Sequence, residues 1–132
     1  MKPQRTDCPT SSFLDFVGDR WTLLVMRDLL MKGLTRYGEL AQSHEKIPTN
    51  ILADRLVKLE AAGLLTKKPY QEKPTRYEYL PTPAGVELLD VISAMVQWSN
   101  AHIKGTKLIP AERYAAAKRE WLAGRRPAPF KA

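Results

Sequence analysis

Cysteine is almost missing from this chain: Cys8 is the single one in 132 residues. One thiol excludes an intrachain disulfide framework and suits a reducing, cytoplasmic compartment. Histidine is nearly as scarce. His44 and His102 stand far apart and, with one cysteine, form no zinc spacing, so no metal site is expected. No apolar run is long enough to span a bilayer, and the stretch from Met1 to Asp7 lacks the apolar core of a signal peptide, so neither membrane insertion nor export is expected. The signatures of catalysis are missing as well. There is no G-x-S-x-G, no glycine-rich phosphate loop and no metal triad, and Cys8 has no His or Asn partner at a telling spacing. Neither an enzyme nor a bound cofactor is expected.

Acidic residues are the minority, 14 against 21 Lys and Arg, which leaves a formal charge of +7. The excess is uneven. Residues 49–76 carry six cations against three carboxylates, residues 77–103 three carboxylates and no cation, and residues 104–132 eight cations against two carboxylates. A polyanionic partner fits this distribution, although a basic balance alone also fits many plain soluble proteins. Hydrophobic residues make up 44% and charged residues 27%, which excludes a disordered or fibrous class and suits one domain with a modest core.

Read in order, residues 1–10 are polar and interrupted by proline, an extended arm. Ser11 or Ser12 can cap a short helix through Val17, stopped at Gly18. Asp19 is placed to cap a second helix, Arg20 to Lys32, that is apolar over most of its circumference and therefore belongs in mid-core. Gly33 ends it. A third helix starts at Thr35, with Tyr37, Leu40 and Ala41 at inward spacing. After the hairpin described below, Thr82-Pro83 opens a long helix to about Lys104 with Leu88, Leu89, Ile92, Met95, Val96 and Ile103 as an apolar stripe. At ~1.5 Å per residue it runs for roughly 30 Å, more than so small a domain covers, and a second subunit is the expected cover. Ala111 to Leu122 predicts one more helix with Tyr114, Ala117 and Trp121 along one side, and the last residues, 124–132, read as disordered.

The most informative stretch is Ile47 to Pro81. A helix from Thr49 to Ala62, stopped by Gly63, turns Leu52, Leu56 and Leu59 to one side and Asn50, Asp54, Val57 and Lys58 to the other. Two short strands follow, Leu64 to Tyr70 and Arg76 to Leu80, with Tyr77 and Tyr79 two apart on one face and Lys67, Lys68, Lys73 and Arg76 supplying charge. Such a helix can lie in a DNA major groove while the hairpin meets phosphates. The fold class expected is mainly α with a small β-hairpin: a winged helix-turn-helix over residues 11–104, preceded by the arm and followed by the helix and basic tail of residues 105–132.

Several stretches, taken in order, resemble the HxlR family of bacterial transcription regulators. They are Cys8-Pro9; Leu14-Asp15-Phe16-Val17-Gly18-Asp19-Arg20-Trp21-Thr22-Leu23-Leu24; Arg27-Asp28-Leu29; Thr49-Asn50-Ile51-Leu52-Ala53-Asp54-Arg55-Leu56; Leu59-Glu60-Ala61-Ala62-Gly63-Leu64; and Pro74-Thr75-Arg76-Tyr77-Glu78-Tyr79. The resemblance covers about Cys8 to Trp98. Two departures touch only loop geometry: Thr82-Pro83 after the wing, and Lys46-Ile47-Pro48 where many members carry a glycine before the reading helix. The resemblance implies a homodimer, built through the first and last helices, on near-palindromic operator DNA. Phe13, Leu89, Ile92, Val96 and Trp98 are the expected dimer contacts. In some members the N-terminal cysteine acts as a thiol sensor.

On the reading helix, Thr49 and Asn50 are expected at base edges or backbone, against the plainer reading of a solvated face with Thr49 as a cap. Asn can pair with adenine, and Asp54 can accept from cytosine N4 although phosphates repel it. Arg55 lies near the leucine stripe, where a carboxylate competes with DNA for it, and Lys58 points outward to phosphate. Lys73, Thr75 and Arg76 on the wing, and Arg36 before the third helix, complete the candidate DNA contacts. Arg5 and nearby helix amides would favour a Cys8 thiolate; the plainer reading is a small residue at a dimer seam. A second function class, a winged-helix module that docks a protein without binding DNA, is opposed by the basic wing. No effector is named by these residues.

Overall fold

The computed structural model describes residues 5–127. In chain order these form α1 (Pro9–Val17), α2 (Thr22–Lys32), α3 (Tyr37–Ala41), α4 (Thr49–Ala61), β1 (Leu65–Glu72), β2 (Thr75–Pro81), α5 (Pro83–His102) and α6 (Ala111–Leu122). This is the expected mainly helical chain with one antiparallel hairpin, β1 against β2. Local chemistry sets most of the boundaries. Helix α1 starts three or four residues earlier than the serines suggested, because Pro9 takes the first turn and Cys8 is the N-cap, its Sγ accepting from the Ser11 amide at 3.5 Å. Helix α2 starts two residues later than expected, with Trp21 at its N-cap, and Asp19 holds the turn ahead of it, accepting from the Trp21 and Thr22 amides at 2.9 and 3.2 Å. Gly33 closes α2 in the left-handed region at φ 67°.

Helix α2 runs through the centre. Its Met26, Leu29 and Leu30 are fully buried and share one core with Leu52, Leu56 and Leu59 of α4, with Val86, Leu88, Leu89 and Ile92 of α5, and with Tyr114 and Ala117 of α6. The α6 contribution corrects two expectations. Helix α5 is covered in part by the chain's own α6, held by Lys118 to Asp90 at 2.8 Å and by Gln97 to the Ile109 carbonyl at 2.9 Å. Leu89 and Ile92, expected at a dimer contact, are therefore sealed inside this chain at 0% and 5% exposure, and Phe13 and Val96 lie half-buried against the same core. Trp98 alone of that set stands out, 61% exposed with its ring tilted on His102. The tail also differs: Gly124 to Arg126 precede a buried Pro127, so this part is packed, while the rest of the expected disordered end and the first four residues of the arm lie outside the described residues.

The hairpin pairs Leu65 with Pro81 down to Glu72 with Thr75, with a register shift between Pro69 and Gln71. Residues 35 and 36 lie alongside β2 like a vestigial third strand: the Tyr79 amide donates to the Thr35 carbonyl at 2.7 Å, and Arg36 bridges Glu78. Thr82 then joins the wing to α5. Its hydroxyl donates to the Gly63 carbonyl at 2.6 Å and accepts from the Gly85 amide at 3.1 Å. Gly85 is required by proximity, since a Cβ there would stand 2.1 Å from the Leu64 carbonyl oxygen. Because backbone cannot yield as a flexible side chain can, Gly85→Ala is expected to cost about 1–3 kcal/mol, measured by chemical denaturation; an unchanged midpoint would show that the wing–α5 junction is loose.

Candidate nucleic-acid interface

Helix α4 starts after Pro48, which fixes an extended N-cap and donates nothing itself. The residue two before it, Lys46, sits in the left-handed region at φ 57°, the conformation a glycine takes at no cost. Ile47 is buried and anchors the turn. With Leu52, Leu56 and Leu59 inward, the outward face carries Thr49, Asn50, Ala53, Val57 and Lys58, all exposed, Val57 at 65%. Asp54 borders this face, and its carboxylate takes a hydrogen bond from Lys58 at 3.2 Å and one from Arg55. Both cations hold it below the ordinary carboxylate value. Arg55 departs from the expected set. Its guanidinium is turned to Asp19 at 2.8 Å and to Asp54, leaving the side chain 20% exposed, so it fastens the reading helix to the head of α2.

Beside the start of α4 lies a notch lined by Arg36, Tyr37, Lys67, Tyr70, Arg76 and Tyr77. Aromatic rings hold its cations: Arg36 lies 3.7 Å over the Tyr70 ring and Lys67 4.3 Å over Tyr77. Tyr37, expected inward, is 39% exposed and donates its hydroxyl to the Thr49 carbonyl at 3.1 Å, tying α3 to the first turn of α4. Lys73, Thr75 and Arg76 are exposed at the wing. The reading of the sequence missed Tyr70. The register shift leaves it unpaired in β1, and the signal was Pro69, a residue that within a strand marks an edge or a bulge.

A model of the HxlR-like helix-turn-helix family matches residues 16–107. The chain belongs to the HxlR family. An HTH-type transcriptional regulator of Mycobacterium tuberculosis, itself uncharacterized, is 39% identical over 90 residues, 68% of this chain and 56% of that protein. The chain thus spans little more than half the length of the mycobacterial relatives it matches. The HTH-type regulator YdeP of Bacillus subtilis, also uncharacterized, is 29% identical over 84% of this chain and 86% of its own. Among solved structures, the reduced form of the transcriptional regulator YodB from B. subtilis superposes with a TM-score of 0.62 at 27% identity, covering 77% of this chain and all of that one. The redox regulator HypR in its reduced form has a TM-score of 0.62 at 25% identity, covering 74% and 95%.

In this HxlR chain Cys8 is exposed at the start of α1, and Arg5 directs its guanidinium to Ser11 at 2.7 Å and Asp15 at 3.3 Å. Among the described residues no cluster of three or more His, Cys, Asp or Glu could hold a metal, and no helix is long and apolar enough to cross a membrane. Asp19 joins α4 to the start of α2 through Arg55. Partial burial opposes its charge, but bonds from the Thr22 hydroxyl, Arg55 and the Trp21 amide win and hold its carboxyl far below the usual range. A group depressed in the folded state stabilises it above the unfolded value and loses that contribution as pH falls. Asp19→Ala is therefore expected to lower stability by ~1 kcal/mol at neutral pH, and the gap from wild type, followed by thermal unfolding, should close as pH falls below the ordinary value of 3.8. A gap that persists into strong acid would show that Asp19 acts by packing.

Proposed function

We propose that the protein is a sequence-specific, DNA-binding transcriptional regulator, acting in the cytoplasm as a homodimer on near-palindromic operators. The observation that carries this reading is the outward face of α4. It is short-chained at Thr49 and Asn50, cationic at Lys58, and continuous through Tyr37 with a notch and wing bearing Arg36, Lys73 and Arg76. Thr49 and Asn50 meet base edges, with Asp54 at the border able to accept from cytosine. Lys58 leaves its exposed pair with Asp54 for phosphate, an exchange that costs little because such pairs are weak in water. Lys73, Thr75 and Arg76 contact the backbone on the wing side, and Arg36 contacts it at the notch.

Exposed apolar side chains favour a second copy as the partner: Leu14 on α1, Met95 and Trp98 along the far half of α5, and Ile103 just past its end. An operator with two half-sites matches a two-fold protein. Cys8 supplies a redox input. Two Cys8 thiols of one dimer, or one thiol and a low-molecular-weight thiol, lose two protons and two electrons to an oxidant such as hydrogen peroxide, which is reduced to two waters as the disulfide forms. Either disulfide sits at the head of α1, where a bridge between subunits or the added bulk of a small thiol alters how the two reading heads are spaced.

A gel shift against the protein's own promoter region, run over a salt series, tests the DNA reading. Affinity is expected to fall steeply with salt, by about one unit of log slope per phosphate contact, and Lys58→Ala should lower that slope by roughly one. Asn50→Ala should cost about 1–3 kcal/mol of base discrimination. Salt-independent retention, or none at all on that duplex, would favour protein docking instead. Under oxidant, the wild type is expected to release DNA and Cys8→Ser to retain it, with equal affinity for both when reduced; release by the variant would remove Cys8 from the mechanism.

A further inference from the structure

The family match stops at residue 107, yet the chain beyond it is built into the fold. The Trp121 indole donates to the Leu30 carbonyl at 2.8 Å, one of the last-turn carbonyls of α2 that no helical amide reaches. A turn at Gly124, with the Arg125 amide donating to the Glu120 carbonyl at 2.8 Å, then carries the chain across the end of α2. Contact there is close: a Cβ on Gly33 would stand 3.0 Å from both Arg126 Cγ and the Pro127 carbonyl oxygen. Pro127 is buried. Arg126 reaches Glu78 at 3.0 Å, and the same carboxylate oxygen accepts the Thr35 hydroxyl at 3.1 Å. Glu78 sits in β2 with its side chain 18% exposed, beside the bridge to Arg36. A segment outside the family match therefore grips the strand that carries the wing.

We infer that residues 124–127 form a strut that sets the angle of the wing against α4, with Arg126 as a positioning residue acting through Glu78. The inference rests on the reading of α4 and the wing as a DNA interface. A two-stranded hairpin is marginal in water without support, so its direction depends on what holds its base. Here the fixed points are the Thr35 carbonyl, Thr82 and the Glu78 carboxylate. The bond from Arg126 is charge-assisted and comes from a chain segment anchored on α2, so it transmits the position of the helical core to β2. Removing it leaves Glu78, among the described residues, the neutral Thr35 hydroxyl as donor and freedom to turn toward water.

Arg126→Ala in the full chain tests this by two measurements. Without DNA, hydrogen exchange of the β2 amides, residues 75–80, should quicken several-fold while the amides of α2 and α4 keep their rates. On the promoter duplex, affinity should fall by about five- to tenfold with the salt slope unchanged, and Arg126→Lys should restore part of both. Unchanged exchange in β2 would overturn the strut. Faster exchange with unaltered affinity would overturn the positioning role, as would a salt slope lowered by about one unit, which marks direct contact of Arg126 with phosphate. A wild-type chain that binds no duplex would defeat the DNA reading, and the positioning role with it; exchange, read without DNA, still decides the strut.

Discussion

Everything outward in this protein depends on how three leucines are buried. Leu52, Leu56 and Leu59 enter the same core as Met26, Leu29 and Leu30 of α2, and this fixes the rotation of α4 about its own axis. Successive residues on a helix are separated by about 100°, so a slip of one position would bury Arg55 and Lys58, or Glu60, and expose the leucines. Pro48 and the buried Ile47 fix where the helix begins, and Arg55 on Asp19 fixes its lean against the head of α2. The polar face is thus a consequence of apolar packing on the opposite side.

Charge is organised in two tiers. Near the core, carboxylates are committed: Asp28 holds Arg27 and Lys32, Asp19 holds Arg55, and Glu78 holds Arg126 and Thr35. These partly or fully buried groups need partners because an unpaired charge out of water is costly. At the surface the cations are loosely kept. Lys58 lies in an exposed pair, and Arg36 and Lys67 rest on tyrosine rings that orient them without neutralising them. Cations of the second kind can be transferred to a polyanion at small cost, whereas those of the first kind cannot.

Much of the architecture was legible before any coordinates. The leucine stripe of α4, the stop at Gly33, the cap-and-proline opening at Thr82-Pro83 and the span Ala111–Leu122 are local signals, written within one or two helical turns. Where local chemistry offered two answers, one was missed. Two serines stood ready to cap α1, but Pro9 favours the first helical turn and the cap fell to Cys8. Tyr37 had the spacing of a core residue, yet in a five-residue helix that spacing spans barely one turn and does not fix a face.

The candidate site divides along the same line. From the sequence alone, helical periodicity determined that Asn50, Asp54, Val57 and Lys58 face away from the leucines, because a period of 3.6 relates residues of one helix to each other. It could not determine what lies across from an apolar stripe. A stripe long enough to suggest a second subunit, with Leu89 and Ile92 in it, is in part buried in the chain's own core with α6, while its Met95 and Ile103 stay exposed. Nor does periodicity pair charges between distant segments: Arg55 with Asp19, 36 positions apart, and Arg126 with Glu78, 48 apart, meet only because the core brings their backbones together. Faces are local properties of a repeating backbone, and partners are properties of the packed whole.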